Sequence, residues 1–158
     1  MVTALYPGTF DPVTMGHLDI ATRASSLFEK LVIGVYARPA NATLFNVEER
    51  VSMLQKAVEH LPNVEVVSYD GLTVDFTRQV GARAVIRGLR TGSDFEYEFE
   101  MAFMNKKLAP DIEFLYMMSS LEYQFVSSST LKEVVGLGGE ISDLVPPHVL
   151  KALLEKLG

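Results

Sequence analysis

The chain has 158 residues, 48% of them hydrophobic and 22% charged, with a formal net charge of −6 and no cysteine. This balance suits one globular domain spanning residues 1–158 and speaks against disorder, while the missing cysteines exclude disulfides and thiolate metal sites. The negative charge argues against broad nucleic-acid or anionic-membrane binding, no apolar run reaches the ~18–20 residues of a bilayer span, and no basic-then-apolar leader opens the sequence, so a cytoplasmic protein is expected.

Residues 2–6 read as a first strand. Residues 17–30 read as a helix, with Ile20, Ala24, Leu27, Phe28 and Leu31 recurring on one face. The apolar run 31–37 is typical of a buried strand. Asn46 and Glu49 form a capping pair that opens the next helix, whose buried stripe is Val47, Val51, Leu54, Val58 and Leu61. Residues 64–69 are a third strand and 72–80 a short helix, with Gly81 where a glycine C-cap belongs. Residues 84–86 read as a fourth strand. Ser93 and Glu96 read as a capping box for a helix running to Leu108 and closed by Pro110. Residues 113–118 form a fifth strand, Ser127–Ser129 precede a helix ending near Gly138 and Gly139, and Pro146 and Pro147 open the last helix. Strands alternating with helices imply a parallel sheet covered on both faces, a single doubly wound, Rossmann-like α/β domain with five strands.

In such folds ligands bind beyond the carboxyl ends of the strands, where the strand order reverses. Tyr6-Pro7-Gly8-Thr9-Phe10-Asp11-Pro12-Val13-Thr14-Met15-Gly16-His17 lies at one such end. Gly8 and Gly16 allow sharp turns and close ligand approach. His17 falls in the first helical turn, beside unpaired N–H groups and the positive end of the helix dipole, a location that suits phosphate. The dipole disfavours a charged imidazole and bound phosphates favour one, so the protonation state is left open. The loop has neither the Gly-Lys-Ser/Thr ending of a Walker loop nor the spacing of dinucleotide-binding glycines.

The fourth strand ends in Ile86-Arg87-Gly88-Leu89-Arg90, whose two guanidinium forks face the first loop if strands one and four are neighbours. Tyr123-Gln124-Phe125-Val126-Ser127-Ser128-Ser129-Thr130 supplies hydroxyls at a second helix start. Each stretch alone also fits a capping or solvated-turn role.

Together they resemble the nucleotidyltransferase superfamily with a histidine- or threonine-x-glycine-histidine motif, here Thr14 to His17, and a serine-rich second motif, here Val126 to Lys132. Lys132 stands where many relatives carry arginine. Within the superfamily, Tyr-Pro-Gly-Thr-Phe-Asp-Pro, Ile-Arg-Gly-Leu-Arg, Asp94-Phe95-Glu96-Tyr97-Glu98 and Phe125-Val126-Ser127-Ser128-Ser129 resemble the bacterial phosphopantetheine adenylyltransferases over essentially the whole chain.

The resemblance implies transfer of AMP from ATP to 4′-phosphopantetheine, giving dephospho-coenzyme A and pyrophosphate. It implies catalytic roles for His17, Thr9 and Arg90, and an ATP site of Thr9, Phe10, His17, Gly88, Leu89, Arg90, Glu98, Tyr123, Gln124, Phe125, Val126, Ser127, Ser128 and Ser129. Thr9, Asn41, Thr73 and Arg87 would contact the acceptor. Magnesium is implied as counter-ion to the phosphates; no protein cage for it is evident, so it would be held mainly by phosphates and water. His60 reads as a solvated dipole partner and His148 as structural.

Relatives usually carry one or two lysines before the residue matching Phe45, whereas this chain has Asn41 at the usual lysine position, with Arg38 as a potential substitute. The helix from Ser93 to Leu108 carries Phe95, Tyr97, Phe99, Met101, Ala102, Phe103 and Met104, which cannot share one face; it reads as a central core helix or a subunit interface. The family resemblance favours the interface and a homohexamer. The competing functions are a nicotinamide-mononucleotide adenylyltransferase, a cytidylyltransferase, or a non-catalytic nucleotide sensor.

Overall fold

A computed structural model describes residues 1–158. Its five-stranded sheet has the order β3-β2-β1-β4-β5, with every pairing parallel. In chain order the elements are β1 (Thr3–Gly8), α1 (Met15–Ser25), β2 (Lys30–Tyr36), α2 (Val47–Ala57), β3 (Val64–Tyr69), α3 (Thr73–Gln79), β4 (Ala84–Leu89), α4 (Gly92–Leu108), β5 (Glu113–Met118), a 3-10 turn (Leu121–Tyr123), α5 (Ser128–Gly136) and α6 (Pro147–Leu157). The doubly wound topology is the expected one, and β1 and β4 are neighbours at the switch point.

Side-chain alternation sorts the strands' residues between two faces. Ala4, Tyr6, Leu31, Ile33, Val35, Ala84 and Ile86 join Ile20, Leu54, Leu131, Val149 and Leu153 in one large core, so α1, α2, α5 and α6 cover that face. Leu5, Val32 and Val85 point the other way, into smaller clusters built with Phe76 and Val74 of α3 and with Ala109 and Ile112. This second face is thinly covered. Of α4 only Glu98 is buried, while Phe95, Tyr97, Phe99, Met101, Phe103 and Met104 are exposed. The core-helix reading of α4 is therefore overturned within a single chain.

Three local expectations also change. Helix α1 stops at Ser25, not near residue 30, because the Ser25 and Ser26 hydroxyls donate to the carbonyls of Thr22 and Arg23 and compete with the helical ladder. Leu27, placed on the buried stripe from its spacing, is 69% exposed as a result. The N-cap of α4 is Thr91, whose hydroxyl accepts from Asp94 N, and not Ser93 with Glu96. The Asn46–Glu49 box and the positive φ of Gly81 appear as read from the sequence.

β1 runs on through Pro7 and Gly8, two residues past its expected end. It pairs with β2 throughout but with β4 only at Ala4 and Leu5. Pro7 has no N–H to donate, so the ladder toward β4 is hard to extend past this point. The two strands part there, and their separation opens the cleft described next.

Candidate active site

A cleft of about 400 Å³ lies over the parted ends of β1 and β4. Its lining includes Gly8, Phe10, Gly16, His17, Arg87, Gly88, Arg90, Glu98, Val126, Ser127, Ser128 and Ser129. A second cleft, about 410 Å³, adjoins it through Phe10, His17, Ser128 and Ser129, and is completed by Thr9, Asp11, Asn41, Thr43 and Lys132. The three stretches singled out from the sequence thus converge. Leu89 is buried, Phe125 is exposed at the rim, and Thr73 bonds Tyr69 Oη at 2.9 Å; none of them lines either cleft, and neither do Tyr123 and Gln124.

His17 is the third residue of α1, and Thr14 is its N-cap. The capping box is reciprocal: His17 N donates to Thr14 Oγ1 at 3.3 Å, and Thr14 N donates to His17 Nδ1 at 3.0 Å. A nitrogen that accepts a backbone N–H carries no proton, so in the neutral ring the hydrogen sits on Nε2. Nε2 bonds no protein group and is not among the sealed-off polar atoms, so it faces the clefts as a donor. Burial, and secondarily the Arg90 charge, pushes the imidazole down to about 4. The ring is braced edge-on by Phe10, with centroids 4.9 Å apart.

Phe10 has φ of 52°, the left-handed region that costs a non-glycine residue ~1–3 kcal/mol. That turn wedges its ring between Tyr6 and His17. It also explains Gly8 differently from the expected close ligand approach: a Cβ there would lie 2.9 Å from the Phe10 ring.

The arginines are fixed by carboxylates. Arg87 donates from Nε and Nη2 to the buried Glu98 Oε1 at 3.0 and 2.7 Å, so Glu98 holds Arg87. Arg90 Nη1 donates to Val126 O at 2.8 Å, tying β4 to the serine motif, and its Nε pairs with Asp94 at 3.2 Å. Ser127 caps α5 by accepting from Thr130 N, and Ser128 Oγ reaches Pro12 O at 2.8 Å, so the serines cap as well as line.

Two residues without an assigned role in the sequence organise this end. Asp11 accepts Phe45 N and Leu44 N at 2.9 Å each, and Lys132 Nζ at 2.6 Å. Arg50, 2% exposed, donates to the carbonyls of Phe45, Thr9 and Tyr36. Arg38, by contrast, pairs with Asp70 on the surface and lines neither cleft. His148 Nε2 bonds Met53 O at 2.9 Å, and His60 is exposed.

The depressed imidazole has a measurable consequence. Between pH ~6.5 and about 4 the unfolded chain binds a proton at His17 that the folded, ligand-free protein does not. Stability therefore falls as pH drops through that window, by at most ~1.4 kcal/mol per pH unit from this residue, and is unaffected by it above the window. Urea titrations from pH 7 to 5 are expected to show a steeper loss for the native protein than for His17→Gln. Equal slopes would mean that His17 titrates normally.

The cytidylyltransferase-like family pattern matches residues 5–134. Among curated proteins, the phosphopantetheine adenylyltransferase of Heliobacterium modesticaldum is 51% identical over 158 residues, covering 100% of this chain and 94% of its own. That of Thermomicrobium roseum is 52% identical over 156 residues, covering 97% and 93%. That of Moorella thermoacetica is 51% identical over 158 residues, covering 100% and 99%. A solved structure described as a putative nicotinate-nucleotide adenylyltransferase from Vibrio parahaemolyticus superposes with a TM-score of 0.75 at 16% identity, over 97% of this chain and 91% of that one; it speaks for the fold alone.

Proposed function

The chain belongs to the phosphopantetheine adenylyltransferase family, and from that premise we propose how its site works. The enzyme transfers AMP from ATP to 4′-phosphopantetheine, releasing pyrophosphate and forming dephospho-coenzyme A. The observation that carries the mechanism is the neutral His17, with its Nε2–H turned toward the clefts.

The nucleophile is a phosphomonoester oxygen, whose second pKa of ~6 leaves it largely ionised at neutral pH. It needs no general base, so a histidine held neutral loses nothing by being unable to serve as an acid–base relay. Catalysis is positioning and charge stabilisation in an in-line displacement at the α-phosphorus. His17 Nε2–H donates to the α-phosphate oxygens as they gain charge, and Thr9 assists from the adjoining cleft. Arg90 and the Ser127–Ser129 end of α5 hold the β- and γ-phosphates, where the helix N–H groups and dipole favour negative charge. Glu98 turns Arg87 toward the acceptor. Phe10, Gly88 and Val126 shape the nucleotide side. In this reading Thr73, Asn41 and Arg87 contact the acceptor, Thr73 from outside both clefts.

Magnesium belongs to the ATP substrate in this reading. No three His, Asp or Glu side chains converge to hold an ion, and the cleft carboxylates Asp94 and Glu98 are engaged by arginines. The enzyme works in the cytoplasm, where ATP is supplied. No helix of the chain is long and apolar enough to cross a membrane. Pyrophosphate release, measured with ATP against phosphopantetheine, nicotinamide mononucleotide and nicotinate mononucleotide, and with CTP in place of ATP, tests the assignment. Release with ATP and phosphopantetheine alone is expected; a preference for another pair would overturn it.

The assembly is a homohexamer. The exposed row on α4, with Phe99 at 54% and Phe103 at 68%, supports this, because large contiguous apolar patches on a lone chain mark interfaces. Light scattering is expected to give the mass of six chains, and Phe103→Asp is expected to shift it to smaller species. A monomer at micromolar concentration would contradict this reading.

A further inference from the structure

Asn41 lines the second cleft together with Thr9, His17, Ser128 and Ser129, and it brings no charge. Lys132 is the only lysine or arginine among the residues lining that cleft. Its side chain keeps 25% exposure, and its single hydrogen bond goes to Asp11 Oδ2. An ammonium has three N–H donors, so two remain free. Asp11 does not depend on the lysine for its hydrogen bonding, because Leu44 N and Phe45 N already donate to its two oxygens. Its buried carboxylate instead fixes where the ammonium sits: at Oδ2, the oxygen that also takes Leu44 N at the end of the loop carrying Asn41.

We propose that Lys132, aimed by Asp11, supplies in this chain the second-cleft cation that contacts the acceptor's phosphate beside Arg87, a charge that Asn41 cannot give and that Arg38, paired with Asp70, does not bring to the cleft. Lys132 thereby becomes a substrate-binding residue and Asp11 a positioning residue. An arriving phosphate dianion takes the free ammonium donors without the Asp11 pair having to break. The inference rests on the adenylyl transfer proposed above.

The test is steady-state kinetics with each substrate varied in turn, on the wild type, Lys132→Met, Asn41→Lys and the double variant, with melting temperatures recorded alongside. Losing a charge-assisted hydrogen bond to a phosphate is expected to raise the KM for phosphopantetheine about 10- to 100-fold in Lys132→Met, with the KM for ATP within about twofold. The double variant is expected to recover most of that loss, because position 41 lines the same cleft. Such a rescue would not follow if Lys132 only braced Asp11. Lys132→Met with a larger effect on ATP than on phosphopantetheine, or with a loss that Asn41→Lys does not relieve, overturns the proposal while leaving the enzyme's reaction intact. A wild type that forms no dephospho-coenzyme A overturns both.

Discussion

Replacing His17 with alanine is expected to lower kcat about 10²–10³-fold while leaving the Kd for ATP within about threefold. The asymmetry follows from where the ring points. Its Nδ1 is taken by Thr14 N–H, and only Nε2–H faces the clefts. In the proposed mechanism, a donor aimed at the α-phosphate gains most when charge builds there in the transition state and little in the ground state, where Arg90 and the α5 N-terminus would hold the triphosphate. Losing the capping contact is a separate and smaller effect, about 1 kcal/mol of stability, and is measured apart by urea titration. Near-normal turnover in a folded His17→Ala protein would reduce His17 to a helix cap.

Arg50→Leu is expected to be the most damaging change outside the clefts, costing about 2–4 kcal/mol of stability. The guanidinium bonds the carbonyls of Phe45, Thr9 and Tyr36; leucine leaves Thr9 O and Tyr36 O without their side-chain partner, while Phe45 O keeps the Thr43 hydroxyl at 2.7 Å. Each orphaned buried acceptor costs ~1–3 kcal/mol, so the two together, at ~2–6 kcal/mol, outweigh the hydrophobic gain from one buried leucine of ~1.5–3 kcal/mol. At ~2–4 °C per kcal/mol for a chain near this size, the melting temperature drops by roughly 10 °C. Because Thr9 and the 39–45 loop lose a common anchor, the KM for phosphopantetheine should rise as well. A melting temperature within a few degrees of the wild type would show that water replaces the guanidinium without cost.

The sequence made the sheet and the convergence of its loops readable because both follow from short-range pattern. The apolar runs at 31–37 and 64–69, the Asn46–Glu49 box and the glycine at 81 are local signals, and they hold. The site's three stretches could be joined because strand order fixes which loops meet. What remained hidden depends on long-range partners. Arg50 looks like a surface residue of an amphipathic helix, and only the carbonyls ending β1 and β2 reveal that it is buried. Asp11 was visible within Phe-Asp-Pro, but its hold on Leu44, Phe45 and Lys132 crosses more than thirty residues. Glu98 was placed in the nucleotide site, and its pairing with Arg87 needed the geometry of α4 against β4. The early end of α1 turns on Ser25 and Ser26, whose back-bonding outweighs the helical spacing of Leu27.

The central claim is that AMP passes directly from one phosphate to the other in a site that positions the reactants, keeps His17 neutral and uses no protein nucleophile. The stereochemical course at the α-phosphorus tests it most directly. ATP carrying a single-configuration sulfur on that phosphorus is converted with phosphopantetheine, and the configuration of the resulting dephospho-coenzyme A thio-analogue is read by phosphorus NMR. One in-line displacement inverts the centre, and inversion is the predicted result. Retention would mean two displacements through an adenylyl-enzyme, and would contradict the account.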